Sequence, residues 1–335
     1  MGEVVGELGE KRLLKNLILP LVNPRGEHQL SGDDCGIVDV PDGYLICAST
    51  DRVPWDLTAY RLKLMSEFEL GYYLATLNIS DIAAMGAVPA GLLLNLAMPA
   101  DYPVDSLQEV IKGALAASVE FSCPILGGDL SDASEPSFCA TSIGLAKRGR
   151  YLLRRGARVG DSVYMSGPCG LSAAAFCYFL DARNRGMRLA DDDYRLLRDA
   201  MVRPSPQLNS AQALTSNECR ATAMDNTDGL GQTLFELADL NSMHYSVDVE
   251  LLPVHRLAHE VAAFLGEDPI DLAMGPGADF NLVGTIDNAM IVEELGMFRI
   301  GAVEEGSGIS LLTGGKRRQI EPRGWDYFRP MGKGQ

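Results

Sequence analysis

Residues 78–87 read Asn-Ile-Ser-Asp-Ile-Ala-Ala-Met-Gly-Ala, the most informative stretch of this 335-residue chain. Ala, Leu and Ile recur at helical spacing over residues 66–86, and this pattern predicts a helix that includes most of the stretch. The one charged residue within 78–87, Asp81, lies beside small and apolar residues. Taken alone, an aspartate in such a place is more often part of a turn or a helix cap than a ligand.

Four other segments also place an aspartate beside small residues. Five such segments in one chain are less easily explained as separate turns or helix caps. Carboxylates that converge on one place repel each other and raise each other's pKa values unless a cation lies among them. Oxygen ligands without Cys or His suit Mg²⁺, which completes its shell with water and phosphate. Glycines at 127 and 128 would let backbone amides approach a phosphate closely. The four segments are Gly32-Asp33-Asp34, Ser49-Thr50-Asp51, Gly127-Gly128-Asp129 and Asp225-Asn226-Thr227-Asp228-Gly229.

Composition narrows the class of protein. With 47% hydrophobic and 22% charged residues, the chain is typical of globular proteins, and its length predicts two domains. The formal net charge of −16 disfavours binding to nucleic acid or to an anionic membrane. Seven scattered cysteines form no C-x-x-C pair, and no signal peptide or membrane-spanning segment is apparent. We therefore expect a cytoplasmic protein.

The periodicity predicts mixed α and β structure throughout. A basic, glycine-containing stretch from Lys147 to Gly156 indicates a boundary between residues 1–148 and 149–335. The Thr227 hydroxyl is predicted to cap a helix that continues to about Leu240. The predicted strands and helices of the first part are a strand at 44–49 that ends at Asp51, a strand at 91–98, a helix at 104–121 and a strand at 138–146.

Familiar nucleotide and metal signatures are missing from the sequence. The segment ending in Gly315-Lys316 lacks the P-loop spacing, because Ser310 and Arg317 occupy two of its required positions. Gly275-Pro276-Gly277 lacks the third glycine of a dinucleotide fingerprint. His255 and His259 stand four residues apart, but no third metal ligand accompanies them, and two surface histidines are the favoured interpretation.

Seven short motifs, in order from about residue 30 to residue 328, resemble those of the thiamine-monophosphate kinase family. This family lies in the PurM-like superfamily, which also includes aminoimidazole ribonucleotide synthetase. The ten-residue stretch at 78–87 is the most specific match. The motifs are Gly32-Asp33-Asp34-Cys35, Ser49-Thr50-Asp51, residues 78–87, Gly127-Gly128-Asp129, Arg203-Pro204-Ser205-Pro206, Thr227-Asp228-Gly229-Leu230 and Gly324-Trp325-Asp326-Tyr327-Phe328.

The resemblance implies a PurM-like two-domain α/β (α+β) fold. The N-terminal domain would join its sheet to that of a second subunit in a homodimer, and ATP with several Mg²⁺ ions would lie between the domains. Carried over by position, Asp129, Asp228 and Arg154 are expected to be catalytic, and Gly128, Asp129, Arg154 and Thr227 to bind ATP. The expected metal-binding residues are Asp34, Ser49, Thr50, Asp51, Asp81, Asp129, Asp225 and Asp228.

The acceptor side departs from the family pattern. Thr58 stands where these kinases have a histidine, and Ala278 stands where they have a glutamate. Tyr73 replaces a common lysine, and Trp55 is an added bulky residue. With Trp325, Thr58 and Ala278 are assigned to the acceptor pocket.

These departures shape the functional hypotheses. The leading one is an ATP- and Mg²⁺-dependent phosphotransferase whose small-molecule acceptor differs from thiamine phosphate. The alternatives are a genuine thiamine-monophosphate kinase, an ATP-dependent ligase or dehydratase that activates a carbonyl or amide oxygen, and a non-catalytic nucleotide-binding protein.

Overall fold

Two β-sheets flanked by helices make up the computed structural model, which describes residues 36–40, 43–54, 57–321 and 324. The first sheet has five strands in the order β1-β2-β5-β3-β4, antiparallel except for the parallel pair β3–β4. Its strands are β1 (Gly36–Asp39), β2 (Tyr44–Val53), β3 (Val88–Met98), β4 (Ile125–Asp132) and β5 (Ser137–Lys147).

Two long helices cover one face of the first sheet. Helix α1 (Thr58–Arg61) is a single turn, and it precedes α2 (Glu67–Ala84) and α3 (Val104–Glu120). Helices α2 and α3 cross closely because both carry a glycine at the contact. A Cβ added at Gly71 would lie 1.8 Å from the carbonyl oxygen of Val110, and one added at Gly113 would lie 1.7 Å from that of Phe68.

The second sheet has seven strands in the order β12-β11-β8-β10-β6-β9-β7, of which only the pair β8–β11 is parallel among the described residues. The strands are β6 (Ser162–Met165), β7 (Met224–Asp225), β8 (His244–Asp248), β9 (Leu282–Ile286), β10 (Phe298–Glu304), β11 (Gly308–Thr313) and β12 (Lys316–Ile320). The accompanying helices are α4 (Leu171–Cys177, continued by a π-helix at Tyr178–Ala182), α5 (Asp191–Val202), α6 (Leu208–Ser216), α7 (Leu230–Asn241), α8 (Arg256–Leu265), α9 (Pro269–Ala273) and α10 (Ala289–Glu294), with a 3₁₀ turn at Val249–Leu251.

Helix α2 is enclosed between the two halves of the molecule. Every residue from Asn78 to Ala84 is buried. Ile79 packs in one core with Leu94 of the first sheet, whereas Ala84 packs in another with Tyr164 of the second. A helix with neighbours on all sides has no face that must be polar for contact with water, so the polar residues in 78–87 have to find partners within the protein.

The predicted mixed α/β architecture is confirmed, and most predicted elements of the first half lie within a few residues of their observed positions. The predicted boundary at 148/149 falls in the segment between the two sheets. Within the described ranges, no helix is both long and apolar enough to cross a membrane.

Two details of the prediction are wrong. Strand β2 continues through Asp51 to Val53, so Asp51 lies inside a strand and does not begin a loop. Thr227 does not cap the next helix, because α7 begins at Leu230 with Gly229 at its N-cap and no side-chain cap. Gly229 has φ +115°, and a Cβ there would lie 2.4 Å from the carbonyl oxygen of Gly275. This close approach to a neighbouring loop, rather than a capping hydroxyl, determines where α7 starts.

A buried ion pair joins α2 to α5. Ser66 and Glu69 form a capping box at the start of α2, and Arg198 Nη2 donates to Glu69 Oε2 at 2.6 Å. The Glu69 side chain is only 12% exposed. Burial raises the pKa of the Glu69 carboxyl, but hydrogen bonds from Ser66 and Arg198 outweigh burial and hold that pKa below its usual value.

We predict that Glu69→Gln lowers the free energy of unfolding by about 1–3 kcal/mol at pH 7, because Gln keeps the cap but loses the charge that pairs with Arg198. A carboxyl with a depressed folded-state pKa stabilises the fold above its unfolded pKa of about 4.3, and this contribution disappears as pH falls through the folded value. Urea unfolding at pH 7 and near pH 3 should show the difference between variant and wild type shrinking in acid. Asp192→Asn, which breaks an exposed pair with Arg195, serves as the control, and an equal loss in that variant would contradict the prediction.

Candidate functional site

The buried end of α2 contacts both sheets through consecutive polar residues. Ser80 Oγ donates to Asp225 Oδ2 at 2.7 Å, and Asp225 ends β7 of the second sheet. Ser49 Oγ on β2 of the first sheet donates to Asp81 Oδ2 at 2.6 Å. Successive helical residues point about 100° apart, so Ser80 and Asp81 can face different neighbours. The helix therefore brings the Asp81 and Asp225 carboxylates to the same end of the junction between the sheets.

Asn78 fixes the backbone of Asp51. Its Oδ1 accepts a hydrogen bond from the Asp51 amide at 2.9 Å, while its Nδ2 donates to the carbonyl oxygen of Leu74 at 2.9 Å. A buried side-chain amide with both ends occupied has one orientation. Asp51 and Asp81 are thus both positioned by the stretch that dominates the sequence.

The segment 225–229 supplies the second-sheet side of the site. Asp225 and Asn226 are buried, whereas Thr227 and Asp228 are half-buried and lie at the start of α7. The Asn226 amide donates to the carbonyl oxygen of Asn281 at 2.8 Å, and the Phe280 amide donates to that of Asn226 at 2.9 Å. These two bonds hold the loop 275–281 beside the segment that carries Asp225 and Asp228.

Arg154 lies near the same helix. Its Nη1 is 3.7 Å from Glu236 Oε2, and both side chains are about one-fifth exposed. Asn241 Nδ2, also on α7, donates to the Arg154 carbonyl oxygen at 2.9 Å. Arg154 therefore borders the second half of α7, and its role in binding phosphate stays a prediction.

Not every predicted residue joins this group. Thr50 is exposed, and its hydroxyl donates to the Ala140 carbonyl oxygen at 2.9 Å. Because side chains alternate along a strand, Thr50 points away from the face on which Ser49 meets Asp81. Asp34 and Trp325 lie outside the described residues.

Asp129 is separated from Asp51 within one chain. The registers place Asp51 opposite Ala140, Ala140 opposite Leu94, and Leu94 opposite Gly128. Three strand spacings therefore separate Asp51 from the strand that carries Asp129, or about 14 Å. That distance is too large for two carboxylates to share one ion. Asp51 and Asp129 of one chain therefore do not bind the same ion.

Gly128 has a packing role that the sequence did not reveal. A Cβ at this position would lie 1.8 Å from the carbonyl oxygen of Leu94, whereas one at Gly127 would meet only the end of the Leu93 side chain at 4.0 Å. Gly128 is required by the close approach of β3 and β4, and open space for a ligand is found at Gly127.

The chemistry of the remaining donors fits Mg²⁺. Carboxylate and hydroxyl oxygens are the ligands this ion prefers, and it often takes only one or two protein carboxylates together with substrate phosphates and water. Among the described residues, no three or more His, Cys, Asp or Glu side chains form a group that could hold a metal ion. An ion at Asp81, Asp225 or Asp228 would therefore need oxygen atoms from phosphate and water to complete its shell.

The predicted acceptor residues come from both halves of the chain. Thr58 is the first residue of α1 and is half-buried. Ala278 lies in the loop 275–281, where its amide donates to Ser172 Oγ at 3.0 Å. The next residue, Asp279, accepts hydrogen bonds from the Gly170 and Ser172 amides, each at 2.8 Å, and so caps α4. Burial raises the pKa of the Asp279 carboxyl, and the amide bonds oppose that rise.

Asn78, Ser80 and Asp279 were not predicted as site residues. The first two were visible as polar positions within the buried stretch at 78–87, which is a signal that they have partners. Asp279 offered no comparable signal, because its partners are backbone amides more than 100 residues away.

Comparisons with known proteins agree with this geometry. Residues 32–146 match the family model of the AIR synthase related protein, N-terminal domain. The thiamine-monophosphate kinase of Pyrococcus abyssi is 28% identical over 312 residues, which cover 93% of this chain and 94% of that protein. The Bacillus subtilis enzyme of the same name is 28% identical over 324 residues, covering 92% and 97% of the two chains. The chain is therefore similar over most of its length to proteins named thiamine-monophosphate kinase.

Solved structures share the whole fold of this chain. A structure described as "AaThiL complexed with AMPPCP and TMP" superposes with a TM-score of 0.84 at 25% identity, covering 98% of this chain and 99% of that one. The PurM-like fold predicted from the sequence is confirmed. Structures of the hydrogenase maturation protein HypE share that fold at 19% identity or less, and this likeness concerns the fold alone.

We predict that Ser80→Ala lowers the free energy of unfolding by about 1–3 kcal/mol, because a buried carboxylate loses a hydrogen-bond donor. Urea unfolding measures this directly. Ser49→Ala is the matched control, since it removes an equivalent bond to the less deeply buried Asp81 and should cost less. An effect of Ser80→Ala below that of Ser49→Ala would show that the bond to Asp225 is not a main contributor to stability.

Proposed function

We propose that this protein transfers the γ-phosphoryl group of ATP to thiamine phosphate and requires Mg²⁺. The observation that carries the proposal is the 0.84 TM-score match, over almost the full length of both chains, to a structure whose description contains AMPPCP and TMP. AMPPCP is an ATP analogue, and TMP is taken as thiamine monophosphate in line with the name shared by the relatives. The carboxylates at the junction of the sheets supply the chemistry such a transfer needs.

In this proposal, Mg²⁺ neutralises phosphate charge that the −16 chain would otherwise repel. Asp81, Asp225 and Asp228 would offer carboxylate oxygens to the ion from the two sides of the junction, and phosphate and water would complete its shell. Arg154, beside α7, stabilises charge on the triphosphate. Asp51 of β2, whose backbone amide donates to Asn78, would supply a further carboxylate on the side of the first sheet. Catalysis then consists mainly of positioning and charge stabilisation.

The choice of thiamine phosphate revises the leading hypothesis from the sequence. That hypothesis rested on Thr58 and Ala278, two substitutions that do not by themselves specify another acceptor. Similarity to proteins named thiamine-monophosphate kinase covers 93% of the chain and favours the alternative of a genuine thiamine-monophosphate kinase. The ligase or dehydratase alternative has support only at the level of fold, and a non-catalytic role is disfavoured by kinase relatives along the full chain.

Steady-state kinetics test the proposal. We expect purified protein with ATP and Mg²⁺ to convert thiamine phosphate to thiamine diphosphate, with turnover lost in EDTA. Asp228→Asn should lower kcat by at least about 100-fold, because it removes a charge that binds the ion. Asp239→Asn, on the same helix, is the control and should stay near the wild-type rate. Tight binding of Mg²⁺·ATP without any turnover of thiamine phosphate would sink the assignment of the acceptor.

We also propose a homodimer in the cytoplasm. The first sheet ends in β4, on which Leu126 is 58% and Leu130 63% exposed, and Val119 of α3 is 72% exposed. An edge strand with exposed apolar side chains is a natural site for pairing with a second sheet. The six described cysteines are free thiols, and burial raises the pKa of Cys47 to about 11. Unreactive, buried thiols accord with a reducing compartment.

Light scattering after size exclusion tests the dimer. We expect the wild type to have twice the 36.1 kDa mass of the chain, and the double variant Leu126→Glu/Leu130→Glu to be monomeric, because two charges would be buried at the paired edge. Leu180→Glu, at a residue 53% exposed on the other half of the molecule, is the control and should leave the mass unchanged. A double variant that remains dimeric would show that the interface does not lie at the β4 edge.

A further inference from the structure

Tyr73 on α2 meets Phe280 in the loop 275–281 across the junction of the two sheets. The ring centroids are 5.9 Å apart with an interplanar angle of 86°, the edge-to-face arrangement that aromatic pairs prefer. Phe280 is 1% exposed, and Tyr73 is half-buried. Neither side chain has a carboxylate, so the pair does not supply such a ligand to a metal ion. Its contribution to the site must come from packing.

The backbone of Phe280 is strained. Its φ of +56° lies in the left-handed region, which is unfavourable for a non-glycine residue. Such strain persists only where the surroundings impose it. Here the Phe280 amide is bound to the Asn226 carbonyl oxygen, and the next side chain, Asn281, donates to the Pro168 carbonyl oxygen at 2.6 Å. Hydrogen bonds at Phe280 and at the next residue thus fix the loop. They hold Phe280 in its strained backbone conformation, which brings the ring against α2.

Tyr73 and Ser80 attach α2 to the same segment at two points. They are seven residues apart, close to two helical turns, so they lie on one face of α2 and about 10 Å from each other. Ser80 binds Asp225 directly, and Tyr73 packs against Phe280, whose amide is bound to Asn226. One attachment would leave the helix able to pivot, whereas two fix its angle to the segment 225–229.

We propose that Tyr73 and Phe280 are positioning residues that set the separation of Asp81 from Asp225 and Asp228, and thereby the affinity of the site for Mg²⁺·ATP. The inference rests on the proposed function only in its choice of ligand. Asp81 follows Ser80 directly on α2, so a change in the angle of the helix moves its carboxylate relative to the second sheet. Positioning acts on binding of the metal–nucleotide complex, and it is independent of the acceptor.

Isothermal titration calorimetry with Mg²⁺·AMPPCP tests the proposal without an acceptor. We expect Tyr73→Ala to weaken binding by about three- to tenfold, as the loss of an aromatic pair would, and Tyr73→Phe to stay within about twofold because it keeps the ring. The matched control is Tyr194→Ala. Tyr194 is also half-buried and packs edge-to-face on Phe179, with centroids 5.4 Å apart, but within the second half of the chain. It should lower the melting temperature to a similar extent and leave the affinity unchanged.

The double variant Tyr73→Ala/Phe280→Ala completes a cycle. If the pair acts as one unit, the double variant binds no more weakly than the worse of the single variants. Unchanged affinity in Tyr73→Ala, or an equal loss in Tyr194→Ala, would overturn the proposal. If Tyr73→Ala fails to fold, Tyr73→Leu takes its place with the same expectation. A wild type that binds Mg²⁺·AMPPCP but does not turn over thiamine phosphate refutes the proposed acceptor alone, since the calorimetric comparison remains valid.

Discussion

The structure depends on burying the polar end of α2 between two sheets. A buried polar side chain is costly unless it has a partner, and this segment buries Asn78, Ser80 and Asp81 within four residues. Asn78 and Asp81 find their partners on β2 of the first sheet, at the Asp51 backbone and at Ser49, whereas Ser80 finds its partner at Asp225 of the second sheet. Satisfying all three at once leaves little freedom in how the two sheets can be placed around the helix. The requirement that stabilises the fold is therefore the same one that gathers the candidate carboxylates.

This coupling explains why one ten-residue stretch carried so much of the prediction. Residues 78–87 showed the helical period, carried the most specific part of the family resemblance and contained Asp81. The strands and helices of the first half were also predictable, because their apolar runs are bounded by Pro and Gly that end them. Strands β10, β11 and β12 were not predicted. The pairing of β11 with β8 joins residues more than 60 positions apart and leaves no local pattern.

The placement of Asp129 shows a different limit. A motif gives the order of residues along the chain, but the distance between two strands depends on the order of strands in the sheet. In this sheet, β5 and β3 lie between β2 and β4, and no local signal in Gly127-Gly128-Asp129 indicates that. The same applies to Ser49 and Thr50, which were assigned one role because they are adjacent. Adjacent strand residues face opposite sides of a sheet, and only Ser49 reaches Asp81.

The loop 275–281 shows how a site can vary at one position without moving. Its conformation is set by groups other than the side chain of residue 278: the Ala278 amide binds Ser172, the Asp279 carboxylate caps α4, and the Phe280 amide binds Asn226. The first and last of these bonds use backbone amides, which any residue but proline provides. A glutamate at 278 could be exchanged for alanine with the loop kept in place. The departure at Ala278 is therefore compatible with an unchanged position of Asp225 and Asp228, and under the proposed function it would change contacts to the acceptor rather than the placement of these carboxylates.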